Sequence, residues 1–103
     1  NPKLTIECVN LNKPWNWIYV SCNPNITMQN IIDNPNKPWV WDSVSCNTNL
    51  TMQFIKDNLD KDWNWFSISA NPNITIQDIV DNPDNPWNWS TISYNPKFNY
   101  RIY

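Results

Sequence analysis

The side chains able to do chemistry in this 103-residue chain are eight tryptophans, three cysteines, nine carboxylates and seven cations; histidine is missing. Without histidine there is no His-assisted nucleophile and no conventional His-containing zinc site. Cys8, Cys22 and Cys46 are too widely separated to have metal-ligand spacing. Asp33, Asp57 and Asp81 recur at one fixed place after an apolar helix, which reads as a solvated helix end and not as a catalytic pair. The chain has no glycine either, so it offers no phosphate-cradling loop. The expectation is a protein that is not an enzyme, with no catalytic, cofactor-binding or metal-binding residues and no cofactor.

Tryptophan chemistry remains, and it comes in Trp-x-Trp pairs. Residues two apart on a helix point about 200° from one another, so the two rings of a pair cannot share a face. Trp17, Trp41, Trp65 and Trp89 are followed three places on by Val20, Val44, Ile68 and Ile92, which predicts a core seam. Trp15, Trp39, Trp63 and Trp87 are followed on their own face by Ile18, Asp42, Phe66 and Ser90, a mixture no core would choose. These eight residues form the candidate binding face, a ladder of rings able to stack sugar faces, proline-rich peptide or planar groups. Against this stands a structural role, favoured here, in which each ring packs between repeats against Pro14, Pro38 or Pro86. A stack needs contacts between its repeats before it needs ligands.

The elements that position these rings are repeated. Cutting before each recurrent Asn gives units 1–22, 23–46, 47–70 and 71–94, with a partial unit 95–103. A period of about 24 residues signals a solenoid, in which no unit buries its apolar face alone, and 1–103 is expected to be one domain within a longer array. Thr5, Thr27, Thr51 and Thr75 sit where a hydroxyl would cap a first helix. Each is flanked by an aliphatic pair at staple spacing: Leu4 with Val9, Ile26 with Ile31, Leu50 with Ile55, Ile74 with Ile79. Ile31, Ile55 and Ile79 are therefore predicted core. Asn12, Asn36, Asp60 and Asp84 are predicted to start a second helix with Pro14, Pro38 and Pro86 in its first turn, running to Ser21, Ser45, Ser69 and Ser93. Neither helix exceeds about eight residues, so one of the two is short enough to be 3₁₀. The fold class is an all-α short-helix solenoid. The absence of glycine corners, the proline density and the staple spacing argue against a β-solenoid.

A net charge of −2 with scattered cations lacks the footprint of a nucleic-acid binder, and no apolar run is long enough for a membrane span. Nucleic acid and membrane are not expected partners. Cys22 and Cys46 share a repeat position filled by Ala70 and Tyr94 elsewhere, so that position asks for a filler and not a thiol; three cysteines fit a reducing compartment. Three of the four Asn-x-Ser/Thr sequons, at Asn25, Asn49 and Asn73, are explained by the capping threonines without any sugar; the fourth is at Asn88. Twenty asparagines and twelve isoleucines read as the codon bias of an A/T-rich genome. Apolar and aromatic residues at Phe98, Tyr100, Ile102 and Tyr103 predict that further repeats, another copy or a partner cover the repeat ends.

The Asn23-Pro24-Asn25-Ile26-Thr27 and Asn71-Pro72-Asn73-Ile74-Thr75 corners resemble those of leucine-rich variant repeats, which alternate α and 3₁₀ helices. The second half departs, with Pro-Trp-x-Trp replacing that family's Asp-Pro and charged segment. Nearly the whole chain is similar to the Asn-Pro and Trp-rich tandem repeat proteins of giant DNA viruses that infect amoebae. That resemblance implies a viral source, in host cytoplasm or virion, and no activity. The expected function is a repeat scaffold for protein interaction or architecture, with self-assembly through the repeat ends and Trp-ladder ligand binding as alternatives.

Overall fold

Threonine opens each of the first-half helices. In the computed structural model, which describes residues 3–98, these are α1 (Ile6–Val9), α3 (Met28–Asp33), α5 (Met52–Asp57) and α7 (Ile76–Asp81). Between and after them come α2 (Trp17–Cys22), α4 (Trp41–Val44), α6 (Trp65–Ala70), α8 (Trp89–Tyr94) and a 3₁₀ turn at Pro96–Phe98. The chain is all-α: every regular element among the described residues is helical.

The Thr27, Thr51 and Thr75 hydroxyls accept from the amides of Asn30, Phe54 and Asp78. In α3 and α7 the side chains of Asn30 and Asp78 reach back to the cap amide and close a capping box. Phe54 cannot, and it packs inward instead. Thr5 corrects the expectation: it holds the cap position of α1, but its hydroxyl donates to Cys8 Sγ at 3.6 Å and caps no amide. The staple aliphatics Ile26, Ile31, Leu50, Ile55, Ile74 and Ile79 are buried, as is Val9. Burial of one such side chain contributes about 1.5–3 kcal/mol.

These helices end without glycine. No described residue has a positive φ; the work of the missing left-handed cap falls to asparagine. Asn34, Asn58 and Asn82 each turn the amide side chain back to the carbonyl four residues earlier at 2.8 Å. One orphan carbonyl of each last turn is thereby satisfied. Asp33, Asp57 and Asp81 accept from Gln29, Gln53 and Gln77 one turn back.

The second helices start later than expected. Asn12, Asn36, Asp60 and Asp84 lie in turns, Pro14, Pro38 and Pro86 lie outside the helices, and the first helical residue is the second Trp of each pair. The caps are Asn16, Asn64 and Asn88, in extended conformation, whose side chains accept amides at Ile18, Ser67 and Thr91. Val40 takes that place before α4, caps nothing, and α4 has only four residues.

The helix rows are tied by side chains reaching into the neighbouring stretch of chain. Buried Asn47 donates its amide to the carbonyls of Ser21, Asn23 and Ile26, and Asn71 donates to Ser45 and Asn47. The Ser21, Ser45 and Ser69 hydroxyls accept the amides of Val40, Asn64 and Asn88, each at 2.9 Å and each nineteen residues on. No buried side-chain polar atom among the described residues lacks a partner. The asparagine content, read above as codon bias, is therefore structural chemistry. α2 packs on α4 and α6 on α8. The body measures 53 × 33 × 19 Å, and its radius of gyration of 15.1 Å exceeds the roughly 13 Å of a compact chain this long.

Candidate interaction face

Placement of the tryptophans decides what the surface can do: the first ring of each pair packs inward, as in the structural role favoured above, and the core-seam assignment of the second ring is corrected. Trp39 and Trp87, assigned to the candidate binding face, are buried, and Trp15 and Trp63 are half-buried against the core. The indole N–H groups of Trp39, Trp63 and Trp87 donate to the carbonyls of Asn34, Asn58 and Asn82 at 2.7–2.9 Å; Trp15 donates to Leu11. The cause is the late helix start. The first Trp of each pair lies in non-helical backbone ahead of the helix, where a 3.6-residue period does not apply.

The rings assigned to the core seam sit at its margin. Trp17, Trp41 and Trp65 are half-buried, and each meets the first Trp of the next pair edge-on, with centroids 5.4, 5.3 and 5.2 Å apart. Such pairs contribute about 0.5–1.5 kcal/mol beyond area burial. Trp89 is 55% exposed, so it is not core. Phe54 adds a third ring to the Trp41–Trp63 contact, and Lys61 Nζ lies 5.3 Å from the Trp41 centroid.

With every tryptophan but Trp89 at least half-buried, Ile18, Asp42, Phe66 and Ser90 stand exposed on the even-numbered helices. Four residues on come half-buried Cys22, exposed Ala70 and Tyr94 along the same helix side, and exposed Cys46 in the turn just past α4. Cys46 is thus no buried filler; its thiol donates to the Asp42 carbonyl. All three cysteines are free thiols. The face is apolar at Ile18, acidic at Asp42 and aromatic at Phe66. Asp42 is the one charged residue in the four even helices, and its carboxylate accepts the Asn64 amide at 2.7 Å. Phe66 and Tyr94 flank a hollow of about 530 Å³ whose floor includes Asn88, Ser90 and Thr91. Tyr94 had been read only as a filler; its 83% exposure shows only in three dimensions.

No family model matches this chain, and no curated protein or solved structure does. The face must be judged on its own chemistry. No group of three or more potential metal-ligating side chains occurs among the described residues, and no described helix is long and apolar enough to cross a membrane. The perturbed titrations lie away from the face. Burial lowers the Lys97 ammonium, opposed in part by Asp78. Hydrogen bonds lower Glu7 and Cys8: for Glu7 from its own backbone and then the Thr5 hydroxyl, for Cys8 from the Thr5 backbone and then its hydroxyl. Of the sequon asparagines, Asn49 and Asn73 use their amides to bond Pro24, Ile26 and Leu50 carbonyls, so a glycan there would break the packing.

Proposed function

We propose that the chain is an all-α solenoid of 24-residue units that acts as a non-enzymatic scaffold for protein–protein interaction, docking partners on the outer face of its even helices. The observation that carries this is the separation of two kinds of position. Ser21, Ser45 and Ser69, Asn47 and Asn71, and the cap threonines Thr27, Thr51 and Thr75 keep one residue type from unit to unit and make corresponding bonds. Ile18, Asp42, Phe66 and Ser90 differ in every unit, face solvent and lie outside the buried core; of the four, Asp42 alone bonds a neighbouring unit among the described residues, through the Asn64 side chain. A fixed frame with one varied exposed face suits a binding array. The Trp-ladder reading loses its support, because the rings it needs are packed inward. The resemblance to giant-virus repeats supports host cytoplasm or virion as the setting.

Selection of displayed random peptides against the immobilised chain tests the docking face. Enriched peptides should lose binding to Ile18→Ser/Phe66→Ser while the melting temperature holds. Enriched peptides indifferent to those changes, or no enrichment, would remove the reading.

A further inference from the structure

Two helix rows carry exposed stripes that advance in the same 24-residue step. The even row has Ile18, Asp42 and Phe66; the odd row has Ile32, Lys56 and Val80. The four apolar members are between 56% and 62% exposed, high for such side chains without a partner. Each stripe runs apolar, charged, apolar, and the central charges are opposite. Asp42 is the single charged residue of the even helices, and Lys56 is the single cation of the odd ones. The two stripes share one period, so their spacings match without adjustment.

We infer that the even stripe of one copy docks on the odd stripe of a second copy, with Asp42 against Lys56 and the apolar residues paired on either side. This rests on the even row being the docking face and names its occupant. The surrounding charges set the register. Asp33, Asp57 and Asp81 stand one residue beyond the odd stripe, about 100° around the helix, each holding a glutamine amide. A copy rotated onto that row would set Asp42 against like charge, which disfavours it. Lys56 is in no ion pair among the described residues; the one ion pair there joins Lys61 to Asp60. On the other side, Asn64 holds one oxygen of Asp42 and fixes the carboxylate outward. Even the narrowest lengthwise side, 53 by 19 Å, spans about 1,000 Å², against about 800 Å² per partner in a standard interface. Each stripe takes the other as its partner, so a pair closes where both contacts form between the same two copies, and rings or rows form where the second stripe takes a third copy.

Sedimentation velocity of the 103-residue chain over a concentration series, at low and high salt, reads this directly. The expected result is growth with concentration that salt weakens. Asp42→Lys and Lys56→Asp should each weaken association at least about tenfold by setting like charges opposite each other. An equal mixture of the two single variants, and the double variant alone, should recover it, which a folding defect could not do. A monomer at every concentration, or association that ignores both charge reversals, overturns the inference. A monomeric chain whose selected peptides still depend on Phe66 keeps the docking face and loses only the second copy as its occupant.

Discussion

Replacing Asn47 by aspartate changes one heavy atom and inverts what a buried site offers. The Asn47 side chain is fully buried, with Nδ2 at 3.0, 3.2 and 2.9 Å from the carbonyl oxygens of Ser21, Asn23 and Ile26. Its Oδ1 accepts the Asn49 amide, a bond a carboxylate keeps. Asn47→Asp removes both N–H donors and sets a carboxylate oxygen against three carbonyls. An unpaired buried donor or acceptor costs about 1–3 kcal/mol, and an uncompensated buried charge about 3–5 kcal/mol. The larger figure applies at pH 7, against a total of about 5–15 kcal/mol for a domain, so about a fifth or more of the stability is at stake. The sign with pH follows. Burial raises the introduced carboxyl's folded pKa above its unfolded value near 4, so the charge penalty is absent below that value and grows as pH rises through the folded pKa. Urea unfolding followed by tryptophan fluorescence at pH 7 and pH 4 measures both, with Asn47→Ala as the variant that loses the bonds and adds no charge. Asn36→Asp, at an exposed turn, is the control. The expected order at pH 7 is control most stable, then alanine, then aspartate, with the last two converging in acid. If Asn47→Asp lies within about 0.5 kcal/mol of the parent at pH 7, the asparagine ties do not hold the helix rows together.

Three further outcomes check other parts of the frame. Trp87→Phe, which strips the N–H bonded to the Asn82 carbonyl and leaves space behind, should cost about 1–3 kcal/mol, whereas Trp89→Phe should stay within about 0.5 kcal/mol; equal losses in thermal melts would contradict the ring assignment. Thr27→Ala should cost about 1 kcal/mol through the lost cap and Thr5→Ala much less, so comparable drops in melting temperature would show that Thr5 caps in solution. Ser45→Ala orphans the Asn64 amide and should cost about 1–3 kcal/mol in denaturant unfolding, with hydrogen exchange at Asn64 accelerated; an unprotected Asn64 amide in the parent would deny the bond.

What was legible depended on how far each bond reaches. Thr27 and Ile31 make their contacts within one turn, so cap and staple could be read from spacing alone, and α3, α5 and α7 lie where those residues put them. The second helices were misplaced because Asn36 and Asp60 are as good in a turn as at a cap, and proline fits before a helix as well as inside its first turn. That one displacement carried the tryptophans with it: helical geometry was applied to Trp39 and Trp87, which stand ahead of the helices. Asn47 and Asn71 were opaque for a different reason. Their partners are backbone carbonyls 21 to 26 residues away, and a carbonyl has no sequence signature. The exposed stripe was named correctly at Ile18, Asp42, Phe66 and Ser90, yet for the wrong ring set, since it owes its exposure to the helices and not to the tryptophans beside it.

Every side-chain tie between separate helix rows among the described residues joins positions 19 to 26 apart in the chain. Among the described residues, no such tie joins α1 to α8. Tension applied at the two termini would therefore load these ties in series, and the molecule would lengthen by peeling in small increments instead of rupturing in one event. Such behaviour suits a tether that must yield without failing.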